Sequence, residues 1–168
     1  MVQHYKLDNK INMKVSFDFD GTLERPDVQE YAKELIKLGV EVWVVTTRYD
    51  SNHQHKYYRA FPEEVWAKIC STTNGDPNFG LWGVIEKLGI PRHHVRFTCM
   101  EYKHKYLDGT KFLWHLDDNP EEFSHAKANN LKVPMINVEL NTWKEKCDNI
   151  IRIKMNELIA NQQEETED

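Results

Sequence analysis

The chain of 168 residues has the length of one domain, and its 40% apolar residues suffice for a core. A net charge of −5 excludes a global positive field of the kind that draws in nucleic-acid backbones. Three widely spaced cysteines, Cys70, Cys99 and Cys147, form no CxxC pair, which argues against a disulfide framework or a structural zinc site and for free thiols in a reducing cytoplasm.

Residues 1–12 are polar and unpatterned, with no apolar leader run. No stretch approaches the ~18 apolar residues of a membrane span, so a cytoplasmic protein without membrane contact is expected. Met13 to Phe19 reads as a short buried strand that stops at a carboxylate cluster. Pro26 and Asp27 suit a helix start, and Val28, Tyr31, Ala32, Leu35 and Leu38 recur at helical spacing before a stop at Gly39. Val40 to Val45 (VEVWVV) is a continuous apolar strand, the pattern of a sheet covered by helices on both faces. It runs into Thr46, Thr47 and Arg48. After a polar, aromatic run, Pro62 to Lys68 predicts a short helix, Ile69 to Thr72 a strand and NGDPN a turn. Phe79 to Leu88 predicts a helix closed by Gly89, Val95 to Thr98 a strand, and Lys103 to Leu107 a helical turn. Lys111 to Leu116 predicts a strand ending in Asp117 and Asp118, followed by a helix over Glu121 to Asn129 and a strand over Val133 to Val138. A long helix over residues 142–160, with Thr142 as its N-cap, closes the pattern. The chain reads as a single domain over 1–168, with 1–12 and 162–168 as disordered ends.

Strands and helices alternate, which predicts a three-layer, Rossmann-like α/β domain with a mainly parallel sheet. Right-handed crossovers then place the carboxyl ends of the strands on one edge, where ligands bind. The residues at those ends are the informative ones. The first strand ends in Asp18, Phe19 and Asp20, Thr46 ends the second, Asp117 and Asp118 end a later one, and Lys103 lies 14 residues before Asp117. Packed carboxylates repel unless a cation or proton intervenes. Hard oxygen ligands favour magnesium, commonly with a substrate phosphate completing its shell. A lysine and a threonine beside it suit phosphoryl oxygens, and an aspartate can itself attack phosphorus.

DFDGTL, a strand-end threonine, and a lysine ahead of a strand ending in DD together resemble the haloacid dehalogenase-like (HAD) phosphatase superfamily, over roughly residues 13–138. The resemblance implies a magnesium-dependent phosphomonoester hydrolase acting through an aspartyl-phosphate. It implies Asp18 as nucleophile and magnesium ligand. Asp20 would be the general acid, then the general base, with its backbone carbonyl on the metal. Asp118, more directly than Asp117, would complete the metal site. Thr46, with Thr47 and Arg48 beside it, and Lys103 would bind the phosphoryl group, and Gly21 and Thr22 would shape the loop. Only 28 residues separate Asp18 from Thr46, and the 57 from Thr46 to Lys103 are taken up by ordinary elements, so a member without a cap domain is expected.

Lys105 and Lys111 compete with Lys103 for the lysine role, and the spacing to Leu107 and Asp117 favours Lys103. Asp117 to Pro120 also reads as a helix-start turn. The run His53 to Arg59 reads as a solvated face or as a grip on phosphate or base, which motivates an alternative, a nucleotide or nucleic-acid end phosphatase, although the net charge does not indicate it. A second alternative is a catalytically silent binding domain on the same scaffold. Arg92, His93, His94 and Arg96 form a basic patch expected at the opposite edge of the sheet, and Trp66, Trp82, Trp114 and Trp143 read as packing residues. No GxGxxG and no GxxxxGK[ST] is present, which removes the main support for dinucleotide or P-loop chemistry.

Overall fold

A computed structural model describes residues 12–50, 62–65, 67 and 76–166. Five strands form one all-parallel sheet: β1 (Lys14–Phe17), β2 (Glu41–Thr46), β3 (Val95–Phe97), β4 (His115–Asp117) and β5 (Met135–Asn137). Their order is β3-β2-β1-β4-β5. The chain first builds outward from β1 in one direction, then returns to place β4 on its other side. The order therefore reverses between β1 and β4, and ligands of open parallel sheets bind in the crevice at such a point.

The helices are α1 (Pro26–Lys37), α2 (Phe79–Leu88), α3 (His104–Leu107), α4 (Pro120–Ala128) and α5 (Trp143–Thr166). Alternation along the strands sends Val15, Phe17, Val42, Val44 and Leu116 to one face. There they join Tyr31 and Leu35 of α1, Leu81 and Ile85 of α2, and Trp143, Cys147 and Ile151 of α5 in the main core. Trp114 is fully buried, with its ring edge-on to Phe17 at 5.2 Å between centroids. A smaller core of Val45, Leu107, Phe112 and Val133 lies on the other face. These three layers match the architecture expected from the alternating pattern. The C-terminal helix packs on its own sheet.

Several boundaries differ from expectation, for local reasons. β1 ends at Phe17, because Phe19 to Leu23 form a wide turn closed by the Leu23 N–H on the Asp18 carbonyl. β4 begins at His115 rather than Lys111. α5 runs on to Thr166, past the expected end at residue 160, since Gln and Glu are good helix formers. The strand expected over Ile69 to Thr72, the run His53 to Arg59, and Trp66 and Cys70 lie outside the described residues. Helical conformation is present at 63–65 and 67, within the expected short helix. No helix is long and apolar enough to cross a membrane among the described residues.

Candidate active site

The β1–β4 register brings the carboxylates together. Ser16 lies opposite His115 and Phe17 opposite Leu116. One step further, the Asp18 N–H still bonds the Leu116 carbonyl at 2.8 Å, which sets Asp18 beside Asp117. Carboxylate oxygens of Asp18, Asp117 and Asp118 all lie within 4.8 Å of one another. The next carboxylate along the turn, Asp20, points away to another partner.

Lys103 joins the cluster from the start of α3. Its Nζ donates to Asp18 Oδ1 and to Asp117 Oδ2, each at 2.6 Å, and the side chain is only 2% exposed. Of the three competing lysines, Lys105 instead pairs with Glu101 at the surface, and Lys111 is exposed. Glu122, buried in the first turn of α4, accepts from the Lys103 backbone N–H at 3.0 Å and so fixes where the lysine begins. Burial raises the Glu122 pKa.

Burial pushes the Asp18 carboxyl well above the usual carboxylate range; the Lys103 ammonium opposes this and Asp117 adds to it. Burial acts on Asp117 too, but His115 and Lys103 hold it well below that range. Burial would lower Lys103, yet Asp18 and Asp117 more than offset it, so the ammonium stays charged. Of the two carboxylates sharing one ammonium, Asp117 is thus the more readily ionised one. Asp18 is the one whose carboxyl holds a proton more tightly than a solvated carboxylate would.

Thr22 donates from Oγ1 to Asp18 Oδ2 at 3.3 Å. Gly21, at φ +73°, lies so close to Asp118 that a Cβ there would overlap its carboxylate. Asp20 is held by Arg48 through two hydrogen bonds, 2.9 Å from Nε and 2.6 Å from Nη2. The same guanidinium donates to the Pro77 carbonyl and lies over the Phe19 ring. Arg48 therefore spans the turn after β1 and the approach to α2. Thr46 is fully buried at the end of β2, where its Oγ1 accepts from the Arg48 N–H at 3.3 Å. The Thr47 carbonyl accepts from the Met100 N–H at 2.7 Å, and Thr98 pairs back to Thr46, so the loops after β2 and β3 are stitched together. Met100 and Cys99 both take positive φ in that loop. The basic turn Arg92–His94 precedes β3, at the opposite edge of the sheet from these groups.

Sequence reasoning passed over Ser16, His115 and Glu122. The signal was present for the first two: Ser16-Phe17-Asp18 and His115-Leu116-Asp117 each place a polar residue two positions before a site aspartate, hence on the same sheet face. Ser16 and His115 are both fully buried.

The donor set fits magnesium: clustered carboxylate oxygens outnumber the single ammonium beside them, and the missing Cβ of Gly21 lets the Asp118 carboxylate come close against the turn. Asp18 and Asp118 would hold the ion, with Asp117 adjoining. No family model matches the chain, and no curated protein or solved structure is significantly similar to it.

Proposed function

We propose that the chain is a magnesium-dependent phosphomonoester hydrolase of the haloacid dehalogenase-like superfamily, without a cap domain, with Asp18 as its nucleophile. The observation that carries this reading is the buried Lys103 ammonium held on both Asp18 and Asp117 at the point where the strand order reverses. Such burial of two carboxylates and one lysine stabilises a fold poorly, because desolvation of ions offsets their attraction. The arrangement is suited to a ligand that brings both charges, a metal cation and a phosphoryl group.

In this reading an Asp18 oxygen attacks phosphorus in line, forming the aspartyl-phosphate as the bond to the leaving oxygen breaks. Asp20 gives that oxygen a proton. It then takes one from the water that cleaves the acyl phosphate, releasing inorganic phosphate and restoring Asp18. Lys103 and the Thr46 hydroxyl bind phosphoryl oxygens, and Arg48 aims Asp20. Magnesium supplies further positive charge to the phosphoryl oxygens when bound.

The test is phosphate release from an aryl phosphate by the full chain, with and without magnesium, followed by a panel of sugar phosphates, nucleotides, phosphopeptides and end-phosphorylated oligonucleotides. Magnesium-dependent turnover is expected, falling below ~1% in Asp18→Asn, which cannot form the acyl phosphate. Turnover in that variant at the wild-type rate rejects the nucleophile assignment. Absence of turnover across the panel, with magnesium still bound, points to the silent binding domain instead.

A further inference from the structure

Beneath the carboxylates runs a line of buried polar side chains that the proposed reaction does not itself use. Ser16 Oγ lies 2.8 Å from His115 Nδ1, and His115 Nε2 lies 3.0 Å from Asp117 Oδ2. Lys103 then links Asp117 to Asp18. Ser16, His115 and Asp117 are all wholly buried. An aliphatic pair at the Ser16 and His115 positions would fill this sheet face without desolvating polar groups.

The proton positions follow from the partners. An ionised carboxylate only accepts, so His115 Nε2 carries the hydrogen and donates it to Asp117, while Nδ1 accepts from the Ser16 hydroxyl. Asp117 Oδ2 thus receives both His115 and Lys103, and its Oδ1 receives the Asn119 N–H at 3.0 Å. Protein groups thereby fill three of its roughly four acceptor positions. The Asp118 carboxylate, by contrast, accepts no hydrogen bond among the described residues.

We infer that His115, its ring fixed by Ser16, is a positioning residue: it holds Asp117 as the standing counter-charge of Lys103, which keeps Lys103 on Asp18 and leaves Asp118 to the cation. The inference rests on reading Asp18 as the reacting group, but its geometric part is testable without turnover. Groups that orient the groups of a metal site in this way are typically worth about 10- to 100-fold in activity or metal affinity.

The experiment uses the full chain with ¹⁵N-labelled histidine and lysine, first metal-free. The His115 nitrogen shifts are expected to report the Nε2–H tautomer, and the shielded Lys103 ammonium to give a slowly exchanging signal. That signal is expected to be lost or displaced in His115→Phe and retained in His115→Gln, whose amide can donate to Asp117. With magnesium and an aryl phosphate, kcat is expected to fall about 10- to 100-fold in His115→Phe with KM little changed, and to recover in part in His115→Gln. The Nδ1–H tautomer, or an unchanged Lys103 signal and wild-type kcat in a folded His115→Phe, overturns the inference. Should that variant not fold, Ser16→Ala decides: a displaced Lys103 signal supports the role and an unchanged one overturns it. Absence of turnover in the wild type rejects the phosphatase reading alone, because the nitrogen spectra still judge the positioning.

Discussion

Gly21 and Asp118 meet so closely that a single methyl group on Gly21 would overlap the Asp118 carboxylate. They are distant in sequence and come from the loops that follow neighbouring strands. The contact makes the DGT turn a wall of the acidic cluster, and it ties the shape of that turn to the position of a carboxylate on β4's loop.

Gly21→Ala is therefore expected to displace Asp118 as well as strain the backbone. Gly109 supplies the control, since it has the same φ of +73° with nothing within 4 Å of a Cβ. Gly109→Ala is expected to cost about 1–2 kcal/mol, the penalty of a left-handed conformation alone. Gly21→Ala is expected to cost more than this in chemical denaturation. It is also expected to raise the magnesium concentration for half-maximal turnover at least about 10-fold. Equal behaviour of the two variants refutes the coupling between Gly21 and Asp118.

Asp18 gives the metal-free protein a characteristic pH dependence. Burial raises its folded pKa above the unfolded value near 4, so the folded state holds the proton more tightly than the unfolded state. Its contribution to stability is full below about pH 4 and is lost as pH rises through the raised folded value. Asp117 works in the opposite sense, because its depressed pKa favours the fold above about pH 4 and that contribution is lost as pH falls. In chelator, Asp18→Asn is expected to be more stable than the wild type, by a margin that grows as pH rises from 4 toward neutrality. Magnesium is expected to stabilise the wild type and to leave the variant nearly unmoved, by mass action on a site the variant has lost. Urea denaturation at several pH values, with chelator and with magnesium, measures both. A variant less stable than wild type in chelator at pH 7 contradicts the raised pKa of the buried Asp18 carboxyl.

Arg48 distinguishes substrate contact from positioning. Its guanidinium grips Asp20 in a two-pronged geometry that a lysine ammonium cannot copy. If Asp20 is the general acid proposed above, Arg48→Lys is expected to lower kcat about 10- to 100-fold, part of what a well-aimed general acid contributes. The pair is partly exposed, so stability is expected to change by no more than about 1 kcal/mol. A rise in KM with kcat intact would make Arg48 a phosphate contact, the role its place beside Thr46 first suggested.

What the amino-acid sequence by itself determined is the class of fold and the cast of the candidate site. Apolar runs such as VEVWVV, each stopping at a polar cluster, imply strands covered on both faces, and helical periodicity between them implies parallel crossovers. Carboxylates at the ends of such strands converge whatever the details, because every strand of a parallel sheet ends on the same edge. Asp18, Asp20, Thr46 and Asp117-Asp118 were nameable on that ground, and Lys103 by its spacing to Leu107 and Asp117.

Partnerships within that cast needed the tertiary structure. Spacing favoured Lys103 over Lys105 and Lys111 without deciding between them, since a one-turn helix leaves its direction open; burial between Asp18 and Asp117 separates them. Arg48 turned to Asp20, and Asp118 settled against Gly21, through loop geometry that carries no periodicity to read. Ser16 and His115 lie 99 residues apart, and only the register of β1 on β4 makes them neighbours. Local pattern determines which face a side chain takes; long-range pairing determines what it meets there, and for Gly21 and Asp118 that meeting is what shapes the site.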